Sequence, residues 1–137
     1  MVRPFGRVEA DTATGLSGRS QVLRLMRSMD VLLLLHGTEP ICAEYIPSKL
    51  YEYLWMQRPI LALVHENPQM TELLLGQGHR TVEISLEPSV VPALTGVLEV
   101  FCDHWQHGGL RDNRRYSAHT VGFAVKSLME WLVAAPL

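Results

Sequence analysis

The sequence predicts an α/β domain of three layers, in which about four parallel strands lie between helices. Residues 31–35 form an uninterrupted apolar run, and similar short runs alternate with segments whose apolar residues recur at helical spacing. A strand that is apolar at every position is typical of a parallel sheet covered by helices on both faces. The 137 residues are 47% hydrophobic and 19% charged, which indicates a single domain over residues 1–137.

The first predicted helix leads into the first buried strand. Residues 2–8 are a candidate short strand, and the Gly- and Thr-rich loop at residues 9–18 has too few apolar residues to pack. We therefore expect residues 1–18 to be poorly ordered or to form an edge strand. A helix follows from Ser20 to Asp30, and residues 31–35 continue as a strand buried on both faces. The apolar residues of this helix share one face: Val22, Leu25, Met26 and Met29.

A second helix begins at Pro47 and Ser48 after a polar loop. It ends before the sequence QRP at residues 57–59, because the residue before a proline is pushed out of the helical region. Ile60–Val64 is the next buried strand. We expect the aromatic residues of this helix to be mostly in the core: Tyr51, Tyr53 and Trp55.

The third helix has strong start and stop signals. Asn67 is its predicted cap and Pro68 its first residue, and Gly76 and Gly78 supply a left-handed stop. Residues 81–84 form the last predicted strand.

Two more helices complete the domain. Apolar residues repeat at helical spacing from Val90 to about His104, residues 105–116 are a predicted loop, and residues 117–137 form a C-terminal helix capped by Ser117. The predicted buried stripe of the last helix is Val121, Val125, Leu128 and Leu132.

Charge and composition disfavour several classes of protein. The net charge of −2 gives no basic footprint for nucleic acid, and no apolar run approaches the roughly 20 residues that span a bilayer. Cys42 and Cys102 are expected to be free thiols, and the N-terminus lacks a signal core, which favours a cytoplasmic protein. His104 and His107 lie three residues apart at a helix end, with no acidic or cysteine ligand placed to complete a zinc shell, so we expect no metal.

The loop before the second helix is the predicted binding region. In a parallel sheet, ligands bind where strands end, and a helix start offers free amides to a phosphate. The amides of Ser48, Lys49 and Leu50, with the Ser48 hydroxyl and the Lys49 charge, form a candidate anion site or a plain helix cap. His36 and His65 each follow a buried strand, so we expect each of them to contact the ligand or to lie at the rim of the site.

A family resemblance centres on this loop. Glu44 and Glu52 are separated by seven residues, a PSK sequence opens the helix, and RPIL at residues 58–61 returns to the sheet. This pattern resembles the donor-binding half of retaining glycosyltransferases with the GT-B architecture, the group 1 or family 4 type. The resemblance implies a Rossmann-like domain that is an incomplete half of that architecture.

The resemblance also implies roles for the site residues. Glu52 would accept the ribose hydroxyls of a nucleoside diphosphate sugar, and Glu44 would lie beside the transferred sugar. From the residue alone, Glu52 is equally suited to stabilise the helix start through the helix dipole. One departure is clear: the commoner motif has glycine, an aromatic residue and glycine after the first glutamate, whereas this chain has YIP at residues 45–47, and Pro47 has no N–H for a phosphate.

The function that the resemblance implies is glycosyl transfer from a nucleoside diphosphate sugar without a metal or other cofactor. The acceptor would bind to an N-terminal domain that this chain lacks, so we expect the chain to be a fragment, inactive alone and prone to self-association through an exposed sheet edge. Two alternatives remain open, a nucleotide-sugar epimerase-like domain and a non-catalytic interaction module. No P-loop, GxGxxG or GxSxG motif is present.

Overall fold

The computed structural model describes residues 6–84, 90–108, 125, 126 and 130 and shows an α/β domain. Within these residues, three parallel strands lie in the order β1-β2-β3. The predicted α/β class with a parallel sheet is confirmed, with three strands where about four were expected. The elements are α1 (Gly18–Ser28), β1 (Leu32–Leu35), α2 (Ser48–Trp55), β2 (Ile60–Val64), α3 (Pro68–Gly76), β3 (Arg80–Glu83) and α4 (Val90–Gln106).

The main core lies between the sheet and the first three helices. Side chains alternate across a strand, so Leu32 and Leu34 of β1 point to the same face as Ile60, Ala62 and Val64 of β2. This face is covered by α1, α2 and α3. Helices on one face are expected when successive right-handed crossovers proceed in one direction along a sheet. The helical residues of this core are Leu23, Met26, Leu50, Tyr53, Leu54, Met70, Leu73 and Leu74.

A smaller core lies on the opposite face of the sheet. Here Leu61 of β2 and Val82 of β3 pack against Phe101 of α4. Partly buried residues surround these three: Val31, Leu63, Val90, Leu94 and Val97. Among the described residues, α4 covers this face of β2 and β3 but not Leu33 and Leu35 of β1.

The prediction that β1 is buried on both faces is wrong. Leu33 is 51% exposed and Leu35 is 66% exposed, whereas Leu32 and Leu34 are buried. Within the described residues no helix covers this side of β1, so an apolar sequence that is typical of an internal strand forms an edge strand here.

Helix α1 lies two residues earlier than the predicted range of Ser20 to Asp30, and its buried face agrees with the prediction only in part. Leu23 and Met26 pack on the core, whereas Val22 and Met29 are more than one third exposed. The helix starts two residues before the predicted position, because the Ser17 side chain accepts a hydrogen bond from the Ser20 amide. Before it, residues 11–16 form a turn closed by a bond from the Asp11 amide to the Leu16 carbonyl.

Helix α2 buries one aromatic residue of the expected three. Tyr53 is 9% exposed and packs with Leu50 and Leu54, whereas Tyr51 and Trp55 are 41% and 56% exposed. These two lie on the solvent side of the helix, so their predicted burial is wrong.

The boundaries of α3 follow the predicted signals. The Asn67 side chain accepts a hydrogen bond from the Met70 amide, and Pro68 is the first helical residue. The helix ends at Gly76, and the left-handed residue is Gly78, with φ of 79°.

The C-terminal part of the chain is described only in places. Helix α4 includes Trp105, which was predicted to begin a loop. The predicted helix 117–137 lies outside the described residues, except that positions 125, 126 and 130 are helical. There Val125 is 53% exposed, which contradicts its predicted burial. Among all described residues, no helix is both long and apolar enough to cross a membrane.

Candidate functional site

The predicted site lies at the edge of the sheet where the strands end, called here the carboxyl edge. The loop from His36 to Pro47 leaves β1 at this edge, and α2 begins at its end. Helix α1 also starts near this edge, because its last residue, Ser28, leads into the beginning of β1. The first turns of α1 and α2 therefore lie on the same side of the domain.

A buried hydrogen-bond network fixes the loop. Asn67 is 2% exposed, and its amide nitrogen donates to the carbonyl oxygens of Cys42 at 2.8 Å and Tyr45 at 3.0 Å. The ring of His36 is also buried, and its Nε2 donates to the Cys42 carbonyl at 2.7 Å. His36 thus has a structural role in the loop.

Glu44 lies in this loop, directly after a short 3₁₀ helix, Pro40–Ala43. Glu44 is exposed, and the described part of the chain provides no hydrogen-bond partner for its carboxylate. The next side chain, Tyr45, stacks edge-on against the His36 ring at 5.6 Å. A hydrogen bond with the Cys42 side chain raises the pKa of Tyr45 above its usual range.

The start of α2 offers two free amides where three were expected. The amide of Leu50 donates to the Pro47 carbonyl at 2.9 Å, and its side chain is fully buried in the core. Leu50 therefore cannot serve an anion as predicted. The amides of Ser48 and Lys49 have no acceptor among the described residues, and both side chains are exposed. Since Pro47 occupies the cap position, the Ser48 hydroxyl is not used as a cap.

Lys49 lies along the helix that carries the site. Its Nζ is 5.6 Å from the centre of the Tyr53 ring, within the range of a cation–π contact. This contact does not neutralise the charge of Lys49, whose side chain is exposed in the first turn of α2.

Glu52 is partly exposed and is bound by an arginine that the sequence analysis did not assign to the site. Arg19 Nη2 of α1 donates to Glu52 Oε1 at 2.5 Å, across 33 residues of sequence. The fold topology explains this contact, because α1 precedes β1 in sequence, α2 follows it, and both helices begin at the carboxyl edge.

The electrostatics of the two helix starts favour an anion. Helix starts are stabilised by acidic residues, because the free amides give this end a partial positive charge. Neither α1 nor α2 has an acidic residue in its first turn, and each has a basic one, Arg19 and Lys49. Both placements oppose the helix dipole. Arg19 is paired with Glu52, whereas Lys49 has no acidic partner among the described residues.

His65 lies farther along the same edge, after β2. Its Nδ1 donates to the Ile84 carbonyl at 2.7 Å, and the carboxylates of Glu66 and Glu83 are 4.0 Å and 3.9 Å from its ring nitrogens. The backbone of Glu66 has φ of 47°, and its amide donates to Glu83. This cluster joins the ends of β2 and β3.

A cleft of about 490 Å³ lies at the opposite edge of the sheet, where the strands begin. Arg58 lines it, and its Nη2 donates to the Arg27 carbonyl at 2.5 Å, at the last turn of α1. Arginine there stabilises the negative end of the helix. None of the predicted site residues lines this cleft.

Among the described residues, no group of three His, Cys, Asp or Glu side chains is arranged to hold a metal ion. The residues that the structure brings together are Ser48, Lys49 and Glu52 on α2, with Arg19 from α1, and Glu44 lies in the loop that precedes them. Comparisons with protein-family models, curated proteins and solved structures found no match to this chain.

Proposed function

We propose that this chain binds a nucleoside diphosphate sugar at the carboxyl edge of its sheet, as the donor-binding portion of a retaining glycosyltransferase. The observation that carries the proposal is the meeting of two basic helix starts around the partly exposed carboxylate of Glu52. A nucleoside diphosphate presents a ribose diol and an anionic diphosphate, so its site needs an acceptor beside donors and positive charge.

Each group of the ligand has a partner in this arrangement. The Glu52 carboxylate is the acceptor for the ribose hydroxyls. The diphosphate lies at the start of α2, where the amides of Ser48 and Lys49 and the Lys49 ammonium group donate to it. Ser48 is one turn, about 6 Å, before Glu52 along the helix, which matches the short span between ribose and phosphate.

In glycosyl transfer these groups act on the leaving group. As the bond between sugar and diphosphate breaks, negative charge builds on the diphosphate, and fixed amides and a cation stabilise that charge in the transition state. Glu44, whose carboxylate is exposed in the preceding loop, is the candidate residue beside the sugar. The acceptor would be bound by a further domain, so the isolated chain is expected to be inactive.

Calorimetric titration with uridine and guanosine diphosphates tests the proposal. We expect binding by the parent, and Glu52→Ala and Lys49→Ala should each weaken it by about tenfold, since each removes a charge-assisted hydrogen bond. Glu72→Ala is the matched control, because Glu72 is an exposed glutamate on α3, away from the helix starts. Absence of binding, or equal affinity of all four proteins, would refute the proposed function.

The exposed side of β1 favours a second candidate, an interaction module that associates with a second copy of the chain. Leu33 and Leu35 present an apolar strip on an edge strand, and such edges pair with other strands. Two copies that pair through β1 would place their strips side by side in one continuous sheet.

Sedimentation velocity measures this association. We expect the parent to form dimers and the double variant Leu33→Glu/Leu35→Glu to be monomeric. Val91→Glu is the control, because Val91 is 69% exposed on α4 and should leave the dimer intact. A monomeric parent, or dissociation by Val91→Glu alone, would contradict association through β1.

A further inference from the structure

We propose that Arg19 is a positioning residue of the nucleotide site, which fixes the Glu52 carboxylate so that it accepts from a ribose diol. The inference rests on the proposed function and extends it to a residue of α1. The observation is the bond from Arg19 Nη2 to Glu52 Oε1, which joins the first turn of α1 to α2.

The geometry leaves room for a ligand on the carboxylate. An ionised carboxylate has about four acceptor positions, and Arg19 occupies one of them on Oε1. The Glu52 side chain is 40% exposed and has no second hydrogen bond among the described residues, so the carboxylate keeps capacity to accept from hydroxyl donors. A glutamate with three rotatable bonds would otherwise sample several orientations, and the contact with the guanidinium group selects one of them.

The start of α1 is built independently of this ion pair. Ser17 caps the helix, and the Gln21 side chain donates to the Glu9 carbonyl at 2.7 Å. Leu23 and Met26 anchor the helix to the core. An exposed ion pair such as Arg19–Glu52 contributes little to folding, so its removal should leave the fold intact.

Selectivity for the ribose diol separates a positioning role from a structural one. The probes are uridine and guanosine diphosphates and their 2′-deoxy analogues, titrated by calorimetry into the full chain. For the nucleotide that binds, we expect the parent to prefer the ribose form by about tenfold, the factor for one hydrogen bond to a charged acceptor. Glu52→Ala should remove this preference.

Variants of Arg19 then test the positioning role. Arg19→Ala should lower the preference to roughly two- or threefold while leaving the urea midpoint unchanged, and Arg19→Lys should restore part of it. The double variant Arg19→Ala/Glu52→Ala should behave like Glu52→Ala. Arg24→Ala is the control, because Arg24 is an exposed arginine on the same helix.

The possible outcomes distinguish the two proposals. If the parent binds neither nucleotide, both the proposed function and the role of Arg19 are wrong. If the parent and Arg19→Ala discriminate equally between the two sugars, while Glu52→Ala does not discriminate, the nucleotide site stands and the role of Arg19 is refuted.

Discussion

Replacement of Asn67 by alanine should destabilise the domain and release the loop that carries the proposed site. The Asn67 side chain makes three hydrogen bonds from a position that is 2% exposed, one as the cap of α3 and two to the loop. Loss of the cap costs about 1 kcal/mol. The carbonyl of Cys42 keeps its bond from His36, whereas the carbonyl of Tyr45 loses its donor from Asn67, which costs about 1 kcal/mol more because this group is partly buried.

The expected loss in the free energy of unfolding is therefore about 2 kcal/mol, or roughly 6–10 °C in Tm. Urea denaturation followed by circular dichroism measures it. Asn67→Asp keeps the size and the cap acceptor but turns an oxygen toward two carbonyl oxygens, so it should destabilise the domain at neutral pH even though the cap survives. Gln69→Ala, an exposed change in the first turn of α3, is the control and should cost less than about 0.5 kcal/mol.

The result that would refute this reasoning is an Asn67→Ala variant as stable as Gln69→Ala. In addition, Asn67→Asp at parental stability would show that the cap matters and the two loop bonds do not.

Two further predictions concern other parts of the domain. Leu34→Ala should lower the free energy of unfolding by about 3 kcal/mol, and Leu33→Ala should lower it by less than about 1 kcal/mol. The reason is that Leu34 is buried and Leu33 is half exposed on the same strand. Equal losses of the two variants in urea denaturation would contradict this. Bonds from the Thr14 hydroxyl and the Ala13 amide lower the pKa of Asp11, so its contribution to the turn at residues 11–16 is present above pH 4 and is lost as the pH falls through the lowered pKa. Thr14→Ala should raise the pKa of Asp11 in an NMR titration, and an unchanged value would disprove the contribution of the hydroxyl.

The sequence predicts the order and boundaries of the elements better than it predicts which faces are covered. Ile60–Val64 and the Asn67 cap were located to the residue, because proline, glycine and asparagine act through local geometry. The run at residues 31–35 has no alternation that distinguishes an edge from an internal strand. Its exposed face depends on where α4 packs, and α4 lies far away in sequence.

For the candidate site too, the features set by local sequence were predicted and those set by tertiary packing were not. Local spacing placed Ser48, Lys49 and Glu52 on one helix, as observed. The use of the Leu50 amide within the helix start and the approach of Arg19 to Glu52 were not predicted. Both depend on three-dimensional geometry that local sequence does not determine. The first depends on the turn after Pro47, and the second on the position of α1 beside α2.

The order of the strands bears on how the chain acquires its structure. Neighbours in the sheet are also successive in sequence, and the pairs Leu32 with Ile60 and Leu61 with Arg80 join positions fewer than about thirty residues apart. Short closures of this kind cost little chain entropy and favour rapid folding. Each strand can add to the one before it as soon as its crossover helix forms, so a nascent chain can assemble this sheet progressively during synthesis.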